Sequence, residues 1–324
     1  MKDFKELVKI CEGRKVYVQT HNFPDADAVG SAFGVKKLLE HYGIESTLCC
    51  SGQIDRKATA KMLDFFGVEM FTYDSIKEKL HEDDYIICVD SQKNGGNITD
   101  FIGDEIACID HHPTVSDVEY KYQDVIITGA CASIVAGYFK ELGVTPDENT
   151  ATALLFGLKM DTNNFTRGVT LFDIQMFEYL FPFTDSQKIT NLENSTIQFA
   201  DLRAYGNAID NIKVFGCTGF ACIDFHCPDG LIAAVSDFIL ALEEVEVAIV
   251  YSVRKDGWKF SVRSEKPDVH AGELIGYALA GLGNGGGHAS MAGGYVSMEK
   301  MQTLGNYPEE AIQEKFLKVL GKDA

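Results

Sequence analysis

Short apolar runs alternate with helical hydrophobic periods over roughly the first 165 residues of the chain. The runs at 85–89 and 105–109 are typical of strands buried inside a sheet. Segments such as 32–39 instead carry apolar residues at the spacing of a helix. Because neighbouring parallel strands need a crossover, this alternation predicts a parallel sheet with helices on both faces.

Chemically active side chains stand directly after the predicted strands. His21 follows the first strand, Asp90 follows a later one, and Asp110, His111 and His112 follow the next. In an open α/β sheet the carboxyl ends of the strands meet at one edge, where ligands bind. We therefore expect these side chains to converge.

Three further carboxylates join this set. Asp25 and Asp27 precede the helix after the first strand, where one Asp could simply cap the helix. A cap does not account for His21, however, and Asp161 follows a later predicted helix at 149–157. Several segments that deliver carboxylates and imidazoles to one edge favour a metal site over a set of caps and turns.

The ligand types indicate which ions such a site would take. Oxygen and imidazole without thiolate favour hard to borderline divalent cations, with Mn²⁺ as the first choice and Mg²⁺ or Co²⁺ as alternatives. Five carboxylates and two or three imidazoles exceed the needs of one ion, so we expect two. Two cations about 3.5–4 Å apart suit displacement at phosphorus.

Charge and composition narrow the class of partner. The net charge of −19 opposes a long nucleic acid, whereas a small phosphorylated molecule is compatible if bound cations reverse the local potential. No signal peptide or membrane-spanning run is apparent, and nine cysteines without a C-x-x-C pair suit a reducing compartment. We expect a cytoplasmic protein without membrane contact. Whether it forms a homodimer stays open.

The second half of the chain has a different pattern. We predict an α/β fold with an N-terminal parallel-sheet domain over 1–185, a helical connector over 186–211, and a smaller C-terminal α/β domain over 212–324 across a cleft. Cys222, His226 and Cys227 are interpreted as structural residues rather than as a zinc site, because no second ligand pair lies nearby.

A glycine-rich stretch at 283–294 is interpreted as a loop that could cradle an anion, because no Cβ blocks its backbone N–H groups. A glycine run alone is weak evidence for this, because it is more often a flexible turn. Arginine and histidine can hold phosphate through charge-assisted hydrogen bonds. His270 is either a helix-cap residue or a residue on the substrate side. The predicted substrate-binding residues are Arg263, Ser264, Gly285, Gly286, Gly287 and His288.

Four motifs together resemble the DHH-type phosphoesterases: His-x-x-Pro-Asp-x-Asp-Ala-x-Gly-Ser at 21–31, Val-Asp at 89–90, Asp-His-His at 110–112 and Gly-x-x-x-Asp-Thr at 157–162. That group includes RecJ-like exonucleases, enzymes that degrade very short oligonucleotides, cyclic-dinucleotide phosphodiesterases and family II inorganic pyrophosphatases. The Val-Arg-Ser and Gly-Gly-His elements resemble the DHH-associated C-terminal domain, which in relatives binds nucleotide substrate and closes over the metal site.

The resemblance implies a role for each candidate residue. Asp90 would bridge two ions, His112 would face the substrate, and Asp110 would orient its neighbours. His112 and Asp110 are thus the implied catalytic residues. The implied metal ligands are His21 and Asp25 for one ion, Asp27, His111 and Asp161 for the other, and Asp90 for both.

The function implied is a dimetal-dependent phosphoesterase that hydrolyses short oligonucleotides, dinucleotides or nucleoside bisphosphates. Two alternatives remain. One is an inorganic pyrophosphatase or exopolyphosphatase, although pyrophosphatases of this class carry a different C-terminal domain. The other is a nucleotide-binding sensor without catalysis, although loss of turnover usually involves loss of ligands.

Overall fold

The computed structural model describes residues 1–52, 54, 57–114, 117–194 and 198–321. The chain divides into two compact units, Met1–Thr196 and Ile197–Ala324. The division falls within the stretch 186–211 that the sequence suggests as a connector. In the described part of the chain, no helix has the length and apolar character needed to span a membrane.

A six-stranded parallel sheet forms the centre of the N-terminal unit, with the strand order β3-β2-β1-β4-β5-β6. The order runs in opposite directions from β1 and from β4, so a topological switch point lies between these two strands. His21 and Asp90 stand at the carboxyl ends of β1 and β4. The strands are β1 (Val16–Thr20), β2 (Ser46–Cys50), β3 (Met70–Thr72), β4 (Tyr85–Val89), β5 (Asp104–Asp110) and β6 (Tyr122–Val125).

Helices cover both faces of this sheet, as the alternation of elements predicts. Side chains alternate along a strand, so Ile87 and Val89 join a large core on one face while Ile86 and Cys88 join a smaller core on the other. The helices are α1 (Phe4–Cys11), α2 (Ala26–His41), α3 (Lys57–Phe66), α4 (Tyr73–Ile76), α5 (Cys131–Leu142), α6 (Glu148–Asp161), α7 (Leu171–Leu180) and α8 (Ser186–Glu193).

Glycines bring α2 and α6 into close contact. A Cβ on Gly30 would lie 2.7 Å from the carbonyl oxygen of Ala153, and a Cβ on Gly157 would lie 2.9 Å from the Cα of Asp27. Neither position has room for a side chain. The two glycines therefore let the start of α2, with Asp27, approach the end of α6, with Asp161. The predicted end of α6 at residue 157 was too early, since the helix continues to Asp161.

The C-terminal unit contains a mixed six-stranded sheet in the order β11-β12-β10-β9-β8-β7, in which only β8 and β9 pair in parallel. Its strands are β7 (Lys213–Phe215), β8 (Thr218–Ile223), β9 (Val247–Val253), β10 (Gly257–Ser264), β11 (Asn284–Gly287) and β12 (Met291–Ser297). Its helices are α9 (Leu202–Asp210), α10 (Asp229–Leu240), α11 (Ala271–Ala278), α12 (Met298–Gln302) and α13 (Pro308–Val319).

The glycine-rich stretch 283–294 is largely a β-hairpin, so its interpretation as a loop was wrong. Strands β11 and β12 pair antiparallel, with Gly285 opposite Gly294. Helix α11 packs directly on this hairpin: a Cβ on Gly272 would lie 2.3 Å from the carbonyl oxygen of Gly287. Glycine is thus needed here for close helix–strand packing, which a local sequence pattern does not distinguish from a loop.

Candidate metal centre

The eight predicted centre residues come together at the carboxyl edge of the parallel sheet. They form three overlapping groups, and within each group the potential ligand atoms lie within 4.8 Å of one another. Asp90 belongs to two groups and so does His111, so the three groups form one cluster. The groups are His21, Asp25 and Asp90; Asp27, His111 and Asp161; and Asp90, Asp110, His111 and His112.

Asp90 lies at the middle of the cluster in a strained backbone conformation. Its φ of 57° is in the left-handed region, which costs a non-glycine residue on the order of 1–3 kcal/mol. Its Oδ2 lies 3.5 Å from His21 Nε2 and its Oδ1 lies 3.3 Å from His111 Nε2. Oδ1 is buried and accepts no hydrogen bond from the described residues. A buried carboxylate oxygen without a donor fits a cation.

Backbone carbonyls orient two of the three histidines in the cluster. His21 Nδ1 lies 2.9 Å from the carbonyl oxygen of Asn22, and His111 Nδ1 lies 3.0 Å from that of Thr128. When Nδ1–H donates to a carbonyl, the Nε2 lone pair is left facing the carboxylates. This arrangement is typical of histidines that bind metal ions.

Burial and negative charge shift the protonation of the cluster. Burial lowers the pKa of His21, but the nearby carboxylates of Asp25 and Asp90 outweigh it and raise the pKa to about 11. The pKa of His111 rises to about 10, because the nearby carboxylates of Asp90 and Asp27 outweigh burial. Burial and neighbouring carboxylates also raise the pKa of Asp27 and of Asp161. Without cations the cluster thus binds protons, which divalent ions would displace.

Two of the carboxylates also serve as helix caps. Asp25 Oδ1 accepts the backbone N–H groups of Asp27 and Ala28 at 3.1 and 3.2 Å, so it caps α2. Asp27 accepts the N–H groups of Cys131 and Ala132 at 2.7 and 2.8 Å, at the start of α5. Capping and membership in the cluster are therefore not alternatives at these residues.

Asp161 is the last residue of α6, where a carboxylate meets the negative end of the helix dipole. Its Oδ2 lies 3.4 Å from His111 Nε2. Arg167 Nη2 donates to the backbone oxygen of Asp161 at 2.7 Å and lies 3.7 Å from Oδ1. At this end of the helix, a nearby positive charge, from Arg167 or from a bound metal ion, stabilises the ionised form of the Asp161 carboxylate.

Asp110 holds the histidine pair in place. Its Oδ1 accepts the backbone N–H of His111 at 2.8 Å and lies 2.9 Å from His112 Nδ1. Its Oδ2 accepts the side-chain N–H of Gln92 at 2.7 Å. With both oxygens engaged, Asp110 positions its neighbours, while the half-exposed His112 is accessible to solvent.

Gln92 and Asp173 contribute to the centre but were not predicted. Asp173 is fully buried, and its Oδ2 accepts the Thr128 hydroxyl and the Gly129 N–H, both at 2.9 Å. It thereby fixes the segment whose carbonyl orients His111. The sequence signals were weak: Gln92 follows two residues after Asp90, and Asp173 completes a capping box with Thr170.

The predicted substrate residues in the C-terminal unit differ from one another in their exposure and in their hydrogen-bond partners. Arg263 Nε donates to Asp237 Oδ1 at 2.6 Å, and Ser264 is buried with 5% exposure. His288 and the glycines of β11 are exposed. A cavity of about 250 Å³ lies beside Ser264 and Ser290. His270 lines the same cavity and caps α11, since its Nδ1 accepts the N–H of Glu273.

Among the described residues, the groups that could hold a metal all lie in the N-terminal unit. Cys222 and Cys227 are buried free thiols outside these groups.

Comparison with known proteins connects this geometry to families. Residues 15–158 match the model of the DHH family N-terminal domain, and residues 216–314 match the DHHA1 domain. An uncharacterized protein of Methanocaldococcus jannaschii is 28% identical over 98% of this chain, and the match spans 66% of that relative's length. The bifunctional oligoribonuclease and PAP phosphatase NrnA of Thermus thermophilus is 25% identical over 96% of this chain and 93% of its own length.

A probable manganese-dependent inorganic pyrophosphatase of Streptococcus thermophilus is 30% identical, but only over 46% of this chain and 48% of its own length. Among solved structures, an exopolyphosphatase-related protein from Bacteroides fragilis superposes with a TM-score of 0.76, at 19% identity and with 98% and 96% of the two chains covered. That likeness shows the fold. Both domain models and the arrangement at the sheet edge lead to one conclusion: the chain belongs to the DHH phosphoesterases, a family of metal-dependent hydrolases.

Proposed function

We propose that the protein is a two-metal phosphoesterase that hydrolyses short oligonucleotides, dinucleotides or nucleoside bisphosphates. The observation that carries the proposal is the position of Asp90, whose two oxygens face His21 on one side and His111 on the other. A carboxylate between two ligand groups is suited to two neighbouring cations. Mn²⁺ is the first choice, since oxygen and imidazole ligands suit it.

The chain would hold the two cations through the overlapping groups described above. His21 and Asp25 would hold one cation, Asp27, His111 and Asp161 the other, and Asp90 would be shared. Bound divalent cations supply neutralisation of phosphoryl oxygens and a lower pKa for water. Hydrogen bonds with the backbone hold the side chains of His21, His111 and Asp27 in place.

His112 is proposed as the residue that contacts the substrate. Its hydrogen bond to Asp110 raises the pKa of the imidazole, so a larger fraction carries a proton near neutral pH. With Nδ1 held by Asp110 and half of the side chain exposed, Nε2–H could donate to a phosphoryl oxygen or to the leaving oxygen. Asp110 acts through His112 and is a positioning residue.

Two observations support a small nucleotide as the substrate class. NrnA, named as an oligoribonuclease and PAP phosphatase, is similar over nearly the whole chain. The net charge of −19 disfavours a long polyanion. The exposed Gly285, Gly286, Gly287 and His288 are proposed to contact the substrate from the C-terminal unit. Arg263 and Ser264 are proposed there as well, although Arg263 would first have to exchange its partner Asp237.

Pyrophosphate is a second candidate substrate, favoured by the 30% identity to a pyrophosphatase. That similarity covers less than half of the chain, and residues 216–314 match a DHHA1 domain. A nucleotide is therefore the preferred proposal.

A direct comparison of substrates tests the proposal. Purified protein with Mn²⁺ would be given a linear dinucleotide, a nucleoside bisphosphate and pyrophosphate. We expect turnover of the nucleotides and a loss of more than roughly 100-fold in Asp90→Asn. Asp104→Asn is the control, because the exposed Asp104 begins β5 at the opposite edge of the sheet. Phosphate release from pyrophosphate alone would contradict the proposal, and nucleotide binding without any turnover would favour a sensor.

A further inference from the structure

We propose that Arg167 contacts the substrate, binding a phosphoryl group held at the metal centre; this inference rests on the function proposed above. Arg167 follows α6 by six residues, and no motif in the sequence distinguishes it. Its position at the centre results from an unusual backbone segment.

Three consecutive non-glycine residues after α6 have left-handed backbone conformations. The φ angles of Asn163, Asn164 and Phe165 are 47°, 54° and 65°. Asparagine tolerates this region, but a bulky residue such as phenylalanine rarely adopts it. Conformations of this kind persist where surrounding contacts impose them, often at functional sites.

The contacts that impose this conformation are present. The Phe165 ring packs edge-on against Phe177, with 5.1 Å between ring centroids, and the Phe165 N–H donates to the Thr162 hydroxyl at 3.1 Å. The Arg167 N–H donates to the Thr162 carbonyl at 2.9 Å. The chain thus turns back on the end of α6 and places the guanidinium beside Asp161.

The contact between Arg167 and the Asp161 carboxylate is long and leaves N–H groups of the guanidinium available. Nη2 donates to the backbone oxygen of Asp161 at 2.7 Å, whereas the nearest carboxylate oxygen is 3.7 Å away. The Asp161 carboxylate therefore stays free for a cation. Within the described part of the chain, Nε and Nη1 of Arg167 have no hydrogen-bond acceptor, and 47% of the side chain is exposed.

This arrangement suits a phosphate dianion or a phosphodiester. A guanidinium presents several N–H donors in a planar fork that matches two phosphoryl oxygens. Asp161 links this fork to the cluster, because its other oxygen lies 3.4 Å from His111 Nε2. A phosphoryl group beside Asp161 would be within reach of both the metal ligands and Arg167.

Binding of Mn²⁺ and of inorganic phosphate separates this role from a structural one. Calorimetry would measure Mn²⁺ alone, and then inorganic phosphate with Mn²⁺ present, for the wild type, Arg167→Ala and Arg167→Lys. We expect Arg167→Ala to bind phosphate roughly 10- to 100-fold more weakly, the effect of a lost charge-assisted hydrogen bond, with Mn²⁺ affinity no lower than that of the wild type. Arg167→Lys should recover part of the loss. Nucleotide KM, where turnover is measured, should rise in parallel.

Arg14→Ala is the matched control, since it removes a guanidinium at the other edge of the sheet, where Arg14 lies over the Tyr85 ring. It should bind phosphate as the wild type does. A parallel loss of Mn²⁺ affinity in Arg167→Ala would show that Arg167 acts through Asp161 and would overturn the proposal. Unchanged phosphate affinity, or no phosphate binding by the wild type, would overturn it too. Phosphate binding without nucleotide turnover would instead count against the proposed function alone.

Discussion

Asp27 Oδ2 accepts a 2.7 Å hydrogen bond from the backbone N–H of Cys131, which lies 104 residues further along the chain. Oδ1 of the same carboxylate accepts the N–H of Ala132. Asp27 thereby caps α5, whose own N-cap residue, Ala130, has no side chain that could do so. A carboxylate of the candidate centre thus also connects two core helices.

Asp27→Asn should weaken both the fold and the binding of Mn²⁺. The amide nitrogen cannot accept an N–H, so we expect a loss of about 1–3 kcal/mol in the free energy of unfolding. Urea unfolding with EDTA measures that loss, and calorimetry measures Mn²⁺ affinity. In the control Asp147→Ala, the cap of α6 through Thr150 N–H is removed outside the cluster, so stability should fall by about 1 kcal/mol while Mn²⁺ affinity stays at the wild-type value. Wild-type Mn²⁺ affinity in Asp27→Asn would contradict its role as a ligand.

Gly30→Ala should separate α2 from α6. The new Cβ would lie 2.7 Å from a backbone oxygen that cannot move alone, so we expect a destabilisation of about 1–3 kcal/mol and weaker Mn²⁺ binding. Gly206→Ala in α9 is the control, because its Cβ would meet nothing within 4 Å and alanine favours helices. Thermal unfolding compares the two variants. Equal stability would mean that the close helix contact is dispensable.

Gln92→Leu should lower turnover without lowering Mn²⁺ affinity. The Gln92 amide donates to Asp110 at 2.7 Å and to the carbonyl of Pro113 at 3.1 Å, so its loss frees the segment that carries His112. We expect kcat to fall roughly tenfold, with an altered pH profile from the Asp110–His112 pair. Steady-state kinetics on a dinucleotide measures this, and Gln175→Leu is the control, because Gln175 is exposed on α7 outside the cluster. A fall in Mn²⁺ affinity equal to the fall in kcat would assign Gln92 to the metal ligands instead.

Asp173→Asn should show a pH-dependent loss of stability. Burial raises the pKa of Asp173, but hydrogen bonds from Ser133 and Thr170 outweigh it and hold the pKa below its usual value. The ionised carboxylate therefore stabilises the fold above the unfolded pKa of about 4, and this contribution disappears as the pH falls through the folded pKa. Urea unfolding at pH 7 should show a deficit of about 1–3 kcal/mol for the variant. A deficit that stays constant down to pH 3 would contradict this assignment.

The sequence was most informative where the fold repeats one rule. Strands that end in Asp or His deliver those side chains to one edge of a parallel sheet, so the sequence alone predicts that His21, Asp90 and His111 lie together. The α/β fold of the N-terminal unit was predicted from the alternation of strands and helices, and that of the C-terminal unit from the separate pattern of strands and helices in the second half of the chain. Gly30 and Gly157 belong to the motifs, but their packing role could not be predicted, because it depends on the distance between two helices.

The supporting residues could not be predicted because their partners are remote in sequence. Asp173 acts on Thr128 and Gln92 acts on Asp110, and neither pair has a local pattern. The hairpin at 284–297 was mistaken for a loop, because a run of glycines can indicate either a flexible loop or a strand against which a helix packs closely. Only the tertiary packing of α11 distinguishes the two.

The left-handed backbone at Asp90 has a consequence for how this chain can change. Glycine adopts φ of 57° without strain, so a glycine at position 90 would relax the β4 terminus while deleting the carboxylate that we propose to be shared by two cations. Selection for stability and selection for catalytic activity therefore act against each other at this position. A related protein that no longer needs catalysis could gain stability from glycine here. The residue at position 90 therefore indicates whether selection for activity or for stability has been the stronger.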